Sequence, residues 1–149
     1  MQHPSIKLTG RWSQVLERGA GNVVATRSGT NVITTSGLHG LADYLCSAAA
    51  SATKNTYYFI AIGTDSTGEA AADEALGTEI SRHTGVATAF TSVYQVTATF
   101  ASGSGTGAIV EYGLLNSNTS GILMARDTEA VINKQANDTL TVTMQLTFG

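Results

Sequence analysis

Apolar and polar residues alternate without interruption over residues 139–148. Because successive side chains of a strand point to opposite faces of a sheet, a period of two over this length predicts a β-strand with one buried face. Residues 93–100 alternate in the same way. The apolar positions are Leu140, Val142, Met144, Leu146 and Phe148 in the first segment and Tyr94, Val96, Ala98 and Phe100 in the second.

Shorter apolar runs separated by turn residues predict the remaining strands, for a total of about eight. Residues 6–28 are typical of a β-hairpin whose turn lies at 18–22, where glycine and asparagine tolerate a positive φ. Residues 57–62 form a continuous apolar run, which is typical of a strand buried on both faces. Weaker or shorter strands are predicted at 79–90, 108–116 and 122–126.

One segment has helical periodicity. Leu38, Leu41, Ala42 and Leu45 follow one another at i, i+3, i+4 and i+7, and the hydroxyl residues at 34–36 can cap a helix. We therefore predict one helix over about residues 37–50. The Gly- and Ala-rich connection at 63–78 is expected on the surface, with a short helical turn at 70–76.

Many short strands and one short helix predict a mainly β fold, an antiparallel β-sandwich or jelly-roll-like domain. The length of 149 residues fits a single domain over residues 1–149. Composition strengthens this prediction, because the chain holds 22 threonines, a β-branched residue that suits pleated surfaces. Residues 1–12 are a candidate N-terminal contact arm within that domain.

The low charge content bears on what the polar strand faces do. Charged residues make up 13% of the chain, about half of the ~25% that is typical of soluble domains. A hydroxyl-bearing face has little charge to desolvate, so another subunit can cover it at modest cost. We therefore favour an interface over solvent for the threonine face of the last strand, with Thr141, Thr143 and Thr147 as candidate subunit contacts.

Charge and cysteine content exclude several classes of protein. The net charge is −3 and the basic residues are scattered, so no basic stripe is present for nucleic acid. Cys46 is the only cysteine, and it can form neither an intramolecular disulfide nor a CxxC pair. No apolar run reaches the ~18 residues that a membrane span needs, and residues 1–12 do not resemble a secretory signal. We expect synthesis in a reducing cytoplasm.

The sequence contains no strong pattern of catalytic residues. A GxSxG nucleophile elbow is absent, and His3, His39 and His83 have no spacing that would place two imidazoles on one metal. The acidic loop at 63–79 departs from the EF-hand pattern. The glycines of 103–107 stand between two predicted strands, which is typical of a hairpin loop and not of a dinucleotide site. We therefore expect a protein that is not an enzyme, with no catalytic, cofactor or metal site.

Four segments of the second half, taken in order, resemble small bacteriophage virion structural proteins of the tail, collar-fibre and capsid-decoration types. These segments are IAIGTDSTGEAAADEALGTEI at 60–80, GSGTGAIVEYGLLN at 103–116, SGILMAR at 120–126 and VINKQANDTLTVTMQLTF at 131–148. The resemblance implies a non-enzymatic component of a tailed-phage virion, made in the bacterial cytoplasm. It implies a homo-oligomer that contacts other virion proteins, either in the tail or collar or at the major capsid protein.

Two alternatives to a tail, collar or fibre module stay open. A capsid-decoration protein would use its N-terminal strand and long loops to clamp neighbouring subunits. A host-glycan-binding module would need exposed aromatic rings near an amide, and the compact cluster of that kind is Asn55, Tyr57 and Tyr58. For contacts within a virion, the N-terminal strand and the acidic loop supply the candidates Ile6, Leu8, Trp12, Asp65 and Glu69.

Overall fold

A computed structural model of the chain describes residues 5–46 and 56–149. Over these residues the fold is mainly β, with nine strands and one helix. The elements are β1 (Leu8–Arg18), β2 (Asn22–Ile33), α1 (Thr35–Cys46), β3 (Phe59–Gly63), β4 (Glu79–Thr84), β5 (Val86–Phe90), β6 (Val93–Phe100), β7 (Gly107–Leu115), β8 (Leu123–Lys134) and β9 (Asp138–Phe148).

All strand pairs are antiparallel, and the strands follow the order β4-β3-β7-β8-β2-β1-β9-β6-β5. The strand β2 joins two sheets, because it pairs with β1 along its length and with β8 only at Val32 and Ile33. We call β2-β1-β9-β6-β5 the first sheet and β4-β3-β7-β8 the second sheet. The arrangement is nearly closed and resembles a barrel or sandwich, which confirms the predicted fold class.

The chain also passes between the two sheets at Gly85, which lies between β4 and β5. The Gly85 amide donates to the carbonyl of Tyr58, and a Cβ at this position would overlap Cγ1 of Val96. A glycine is therefore needed for the chain to pass from the second sheet to the first. The single strand predicted over 79–90 is wrong for this reason: it is two strands with different partners, β3 for β4 and β6 for β5.

The core consists of the inward-facing side chains of both sheets. The alternation predicted for β6 and β9 is confirmed, since Val96, Phe100, Leu140 and Met144 are fully buried. Across the barrel, the ring of Trp12 stacks on another aromatic ring. Its partner is Tyr112, with the two rings nearly parallel and their centroids 5.4 Å apart. Dense apolar burial of this kind is the main favourable term in folding.

The helix α1 lies against β8. Thr34 caps it, accepting a hydrogen bond from the Gly37 amide at 2.9 Å, and a Cβ on Gly37 would crowd the backbone of Met124. The predicted capping by hydroxyl residues is confirmed. The predicted helix at 37–50 begins two residues earlier, at Thr35, and its described part ends at Cys46; positions 47–50 lie outside the described residues.

Three further predictions need correction. The residues at 70–76 form turns and bends, not a helical turn. The strand predicted at 122–126 runs on to Lys134 as β8, because Asp127 and Lys134 occupy buried positions that the apolar pattern does not reveal. Leu8 to Trp12 are part of β1 and pair with β9, so they are not an extended arm; residues 1–4 lie outside the described part of the chain.

Candidate functional site

The outer surface of the first sheet is a wide, almost uncharged polar face. The pairing registers place outward side chains of neighbouring strands in rows across the five strands. We call this surface the hydroxyl face. It consists of Thr26, Ser28 and Thr30 on β2; Thr9, Arg11, Ser13 and Val15 on β1; Thr141, Thr143, Gln145 and Thr147 on β9; Val93, Gln95, Thr97 and Thr99 on β6; and Val86, Thr88 and Phe90 on β5.

Side chains of the hydroxyl face hydrogen-bond across the strands. Thr97 Oγ1 lies 2.9 Å from Thr143 Oγ1, and the amide of Gln145 donates to Oε1 of Gln95 at 2.6 Å. On β1, Arg11 lies within these rows and Glu17 lies at their end, opposite Thr139, so the face carries one cation and one anion. The polar side chains that bond to one another in this way are uncharged, so a neighbour can cover them at a modest cost in desolvation.

The structure separates the predicted contact residues of the strands into two groups. Thr141, Thr143 and Thr147 lie together on the hydroxyl face, half-buried between their neighbours. Ile6 is 84% exposed just before β1, and Leu8 is half-buried opposite Phe148. Trp12 is only 2% exposed, so its prediction as a surface contact is wrong.

The acidic loop is held against the second sheet by one buried carboxylate. Glu111 on β7 is fully buried and accepts hydrogen bonds from the backbone amides of Asp65, Gly77 and Thr78, at 3.2, 2.8 and 2.7 Å. These amides belong to the two ends of the loop at 64–78. A single side chain therefore closes the loop at its base, where it leaves β3 and returns to β4.

Arg126 on β8 is the buried cation that balances Glu111. Its guanidinium donates to Glu111 Oε2 at 2.9 Å, to Asp73 Oδ2 at 2.9 Å and to the carbonyl of Thr67 at 3.1 Å. The ion pair is almost completely buried, and further hydrogen bonds from the guanidinium reach the loop. Such a pair resists removal of either partner, because the other would be left buried and charged.

The candidate contacts Asp65 and Glu69 both hold the loop to the rest of the chain. The Asp65 carboxylate accepts hydrogen bonds from the amide and the hydroxyl of Thr67, and these bonds lower its pKa below the ordinary value. Glu69 accepts from the amide and hydroxyl of Thr128. Both carboxylates are partly exposed, but their bonds face the molecule. The structure therefore gives them an intramolecular role.

Sequence reasoning missed the Glu111–Arg126 pair, although a signal was present. Both residues interrupt otherwise apolar strands, in AIVEYGLL and ILMAR. Charged residues are seldom fully buried unless they are paired. Two such interruptions of opposite charge indicate a buried ion pair if their strands are neighbours. The sequence alone does not show that these two strands are neighbours.

Asp127 is the most strongly perturbed carboxyl near this pair. It is almost completely buried, its Oδ2 has no hydrogen-bond partner, and burial together with repulsion from Glu129 and Glu69 raises its pKa to about 7. Polar atoms of Gln14 and the hydroxyl of Tyr112 are also buried without partners. Burial raises the pKa of Tyr112 as well.

A serine and a histidine meet at the edge of the second sheet. His83 Nε2 lies 2.7 Å from Ser104 Oγ, which is also 3.3 Å from Ser81 Oγ, and the imidazole packs on Phe100. A catalytic dyad would also need a group that orients the histidine. The contacts instead fasten the turn at 101–106 over β4. His39 lies exposed on α1, and His3 lies outside the described residues.

The tyrosines proposed for glycan contact are not stacking platforms. Tyr57 is buried, its carbonyl accepts a hydrogen bond from the Tyr94 hydroxyl at 2.7 Å, and Tyr58 is half-buried against Phe59. Asn55 lies outside the described residues. Tyr57 lines a largely apolar cavity of about 580 Å³ between α1 and the first sheet, together with Leu41, Tyr44, Tyr94, Met124 and Leu146.

Neither a membrane-spanning helix nor a group of metal-binding side chains is found among the described residues. Within residues 5–46 and 56–149, no helix is long and apolar enough to cross a membrane. Over the same part of the chain, no three His, Cys, Asp or Glu residues are grouped so that they could hold a metal ion.

Comparisons with known proteins give no relative to guide the interpretation. No family model, no curated protein and no solved structure matches the chain.

Proposed function

We propose that the chain is a non-enzymatic structural component of a tailed-bacteriophage virion, a module of the tail, collar or fibre that assembles through contacts between β-rich surfaces. The observation that carries this proposal is the hydroxyl face, a five-stranded surface of mostly uncharged polar residues on which Arg11 and, at one end, Glu17 are charged. The phage setting rests on the resemblance of the ordered segments within residues 60–148.

The dimensions of the hydroxyl face support an assembly role. Strands lie ~4.8 Å apart, and alternate residues of a strand lie ~6.8 Å apart, so five strands and four rows span on the order of 500 Å². A stable protein interface buries ~800 Å² on each partner, so this face could supply the greater part of one. Its low charge content lowers the cost of desolvation and favours a fixed neighbour over solvent.

The virion proposal is tested by counting copies of the chain in purified phage particles. Quantitative mass spectrometry of particles freed of host protein is expected to detect the chain at a constant ratio to the major capsid protein. A handful or a few dozen copies per particle would support the tail, collar or fibre, and hundreds of copies would favour capsid decoration instead. If the chain is absent from intact particles, the virion proposal is wrong.

The role of the hydroxyl face is tested by a charge at its centre. Thr143 lies on the middle strand of the first sheet, so Thr143→Lys places an ammonium group where a neighbour would cover it. We expect at least a tenfold loss of incorporation into particles, with the thermal unfolding midpoint changed little. The matched control is Thr119→Lys, a charge added in the exposed turn between β7 and β8. Equal incorporation of both variants would exclude the hydroxyl face as the contact.

A further inference from the structure

The nearly closed sheet ends in two edge strands, β4 and β5, which differ in how they are protected against pairing with further strands. The edge β4 carries the ion-paired Glu79 and Arg82, and the turn at 101–106 covers it through the bonds of Ser104 to Ser81 and His83. Natural proteins protect edge strands with charges and covering loops in this way, because an open edge recruits further strands.

Among the described residues, none protects the opposite edge, β5, in either way. Its sequence, VATAF, contains no charge and no proline, and all five residues are exposed. Val86 is 72% exposed and Phe90 is 82% exposed, and both project on the hydroxyl face. A short apolar edge strand of this composition is a template for pairing with another strand.

The hairpin geometry defines which backbone groups of β5 are open. The turn between β5 and β6 has two residues, Thr91 and Ser92, and it is closed by the pair Phe90 and Val93. The closing pair of a two-residue hairpin exchanges both hydrogen bonds, and bonded pairs then alternate along the ladder. Val86, Thr88 and Phe90 therefore bond to β6, whereas Ala87 and Ala89 direct their N–H and C=O groups to the open edge.

This edge is complementary to itself. When two copies of β5 are placed antiparallel with Thr88 at the two-fold axis, Ala87 lies opposite Ala89 of the second copy, and the outward N–H and C=O groups of both can pair. Val86 then lies opposite Phe90 of the second copy on the same face, which is a favourable cross-strand pair. The two Thr88 side chains meet at the axis, and like charges are not brought together.

We propose that two copies of the chain form a two-fold dimer by antiparallel pairing of β5 with β5. The dimer joins the first sheets of both copies into one sheet of ten strands and doubles the width of the hydroxyl face. Because edge pairing buries less surface than a standard interface, we expect a reversible dimer that dissociates on dilution. Because the inference rests on the edge geometry alone, a chain that is absent from phage particles would still form the dimer.

The experiment measures the mass of the purified chain by light scattering and sedimentation equilibrium at increasing concentration. The wild-type chain is expected to reach twice its monomer mass of 15.4 kDa. Thr88→Lys and Thr88→Glu each place two like charges opposite one another at the axis, and each variant is expected to remain monomeric. An equimolar mixture of the two variants pairs opposite charges and is expected to restore the dimer.

Two controls separate the edge from the rest of the surface. Thr26→Lys adds the same charge to the hydroxyl face at β2, the far side of the first sheet from β5, and is expected to dimerise like the wild type. Ala87→Pro blocks one outward N–H without removing a bond to β6 and is expected to be monomeric with an intact circular dichroism spectrum. A wild-type chain that stays monomeric at millimolar concentration, or a Thr88→Lys variant that dimerises as well as the wild type, would overturn the proposal.

Discussion

At the scale of single residues, the stability of this domain depends on a few buried ionisable groups. Glu111 and Arg126 form a buried pair that also closes the acidic loop, and Asp127 is buried next to them without a partner for Oδ2. In the Glu111–Arg126 pair, hydrogen bonds offset the cost of burying charge, whereas at Asp127 burial without such bonds raises the pKa of the carboxyl group. The two arrangements predict opposite responses to substitution by an amide.

Glu111→Gln is expected to destabilise the domain strongly. The substitution removes the charge that balances Arg126 and places an amide nitrogen among groups that all donate hydrogen bonds, so we expect a loss of about 3–5 kcal/mol in the free energy of unfolding. Urea denaturation measures the loss, and limited proteolysis is expected to cleave faster within residues 64–78. The control is Glu74→Gln, an exposed carboxyl in the same loop. Equal stability of the two variants would contradict the role given to Glu111.

Asp127→Asn is expected to stabilise the domain above neutral pH. The folded pKa of about 7 lies above the ordinary value of 3.8, so the folded state binds the proton more tightly and the wild type loses stability as pH rises from about 4 to 7. The asparagine avoids this loss, with a gain on the order of 2–4 kcal/mol at pH 8. Below pH 4 the two chains are expected to differ little. A variant less stable than the wild type at pH 8 would refute the assignment.

At the scale of elements, sequence patterns predicted those strands whose two faces differ clearly. The strand β9 has threonines and a glutamine outside and large apolar residues inside, and its predicted bounds are nearly those observed. The break at Gly85 could not be predicted in this way, because it depends on contact with Val96 from a strand that follows later. Likewise, the buried charges of β8 interrupt its apolar pattern, and the prediction ended the strand too early.

The hydroxyl face was also predicted only in part, because it depends on contacts between strands that are distant in the sequence. The outward threonines of β9 were identified from alternation, but the width of the hydroxyl face depends on which strands lie beside β9. Those neighbours are β1, from the opposite end of the described chain, and β6, and neither pairing can be derived from local periodicity. The side-chain positions on one strand follow from sequence, whereas the composition of a five-stranded surface follows from topology.

The hairpin between β5 and β6 has a strained turn. Thr91 adopts a φ of 54°, a left-handed conformation that a β-branched residue rarely takes. Thr91→Gly is expected to raise the free energy of unfolding by about 1 kcal/mol, because relief of strain exceeds the added entropy of the unfolded chain. Thermal denaturation measures the gain. The matched control is Ser92→Gly, where φ is not positive and a small loss is expected; a gain at Ser92 and none at Thr91 would contradict this interpretation.

At the scale of the whole molecule, two carboxyl groups whose pKa values are shifted in opposite directions set the pH of maximum stability. Arg18 donates two hydrogen bonds to Asp138, and these bonds with the Gln135 amide lower the pKa of Asp138 to about 2. A lowered pKa contributes stability that is present above the ordinary value and lost as pH falls towards 2. The raised pKa of Asp127 acts in the opposite direction between pH 4 and 7.

The domain is therefore expected to be most stable near pH 4–5, below the usual range of pH 5–8. Urea midpoints at pH 2.5, 4.5 and 8 measure this profile. Asp138→Asn is expected to flatten the acidic side, and Asp127→Asn is expected to flatten the alkaline side. A wild-type midpoint that is higher at pH 8 than at pH 4.5 would show that other groups dominate the pH dependence.

The pairing of β1 with β9 also has a consequence for the speed of folding. The contact between Leu8 and Phe148 joins strands that are separated by nearly the whole described sequence, and β9 lies between β1 and β6 in the first sheet. Closing so long a segment costs entropy before any contact compensates for it. Folding is therefore expected to take milliseconds to seconds, and intermediates that lack β9 leave both β1 and β6 with an unpaired edge.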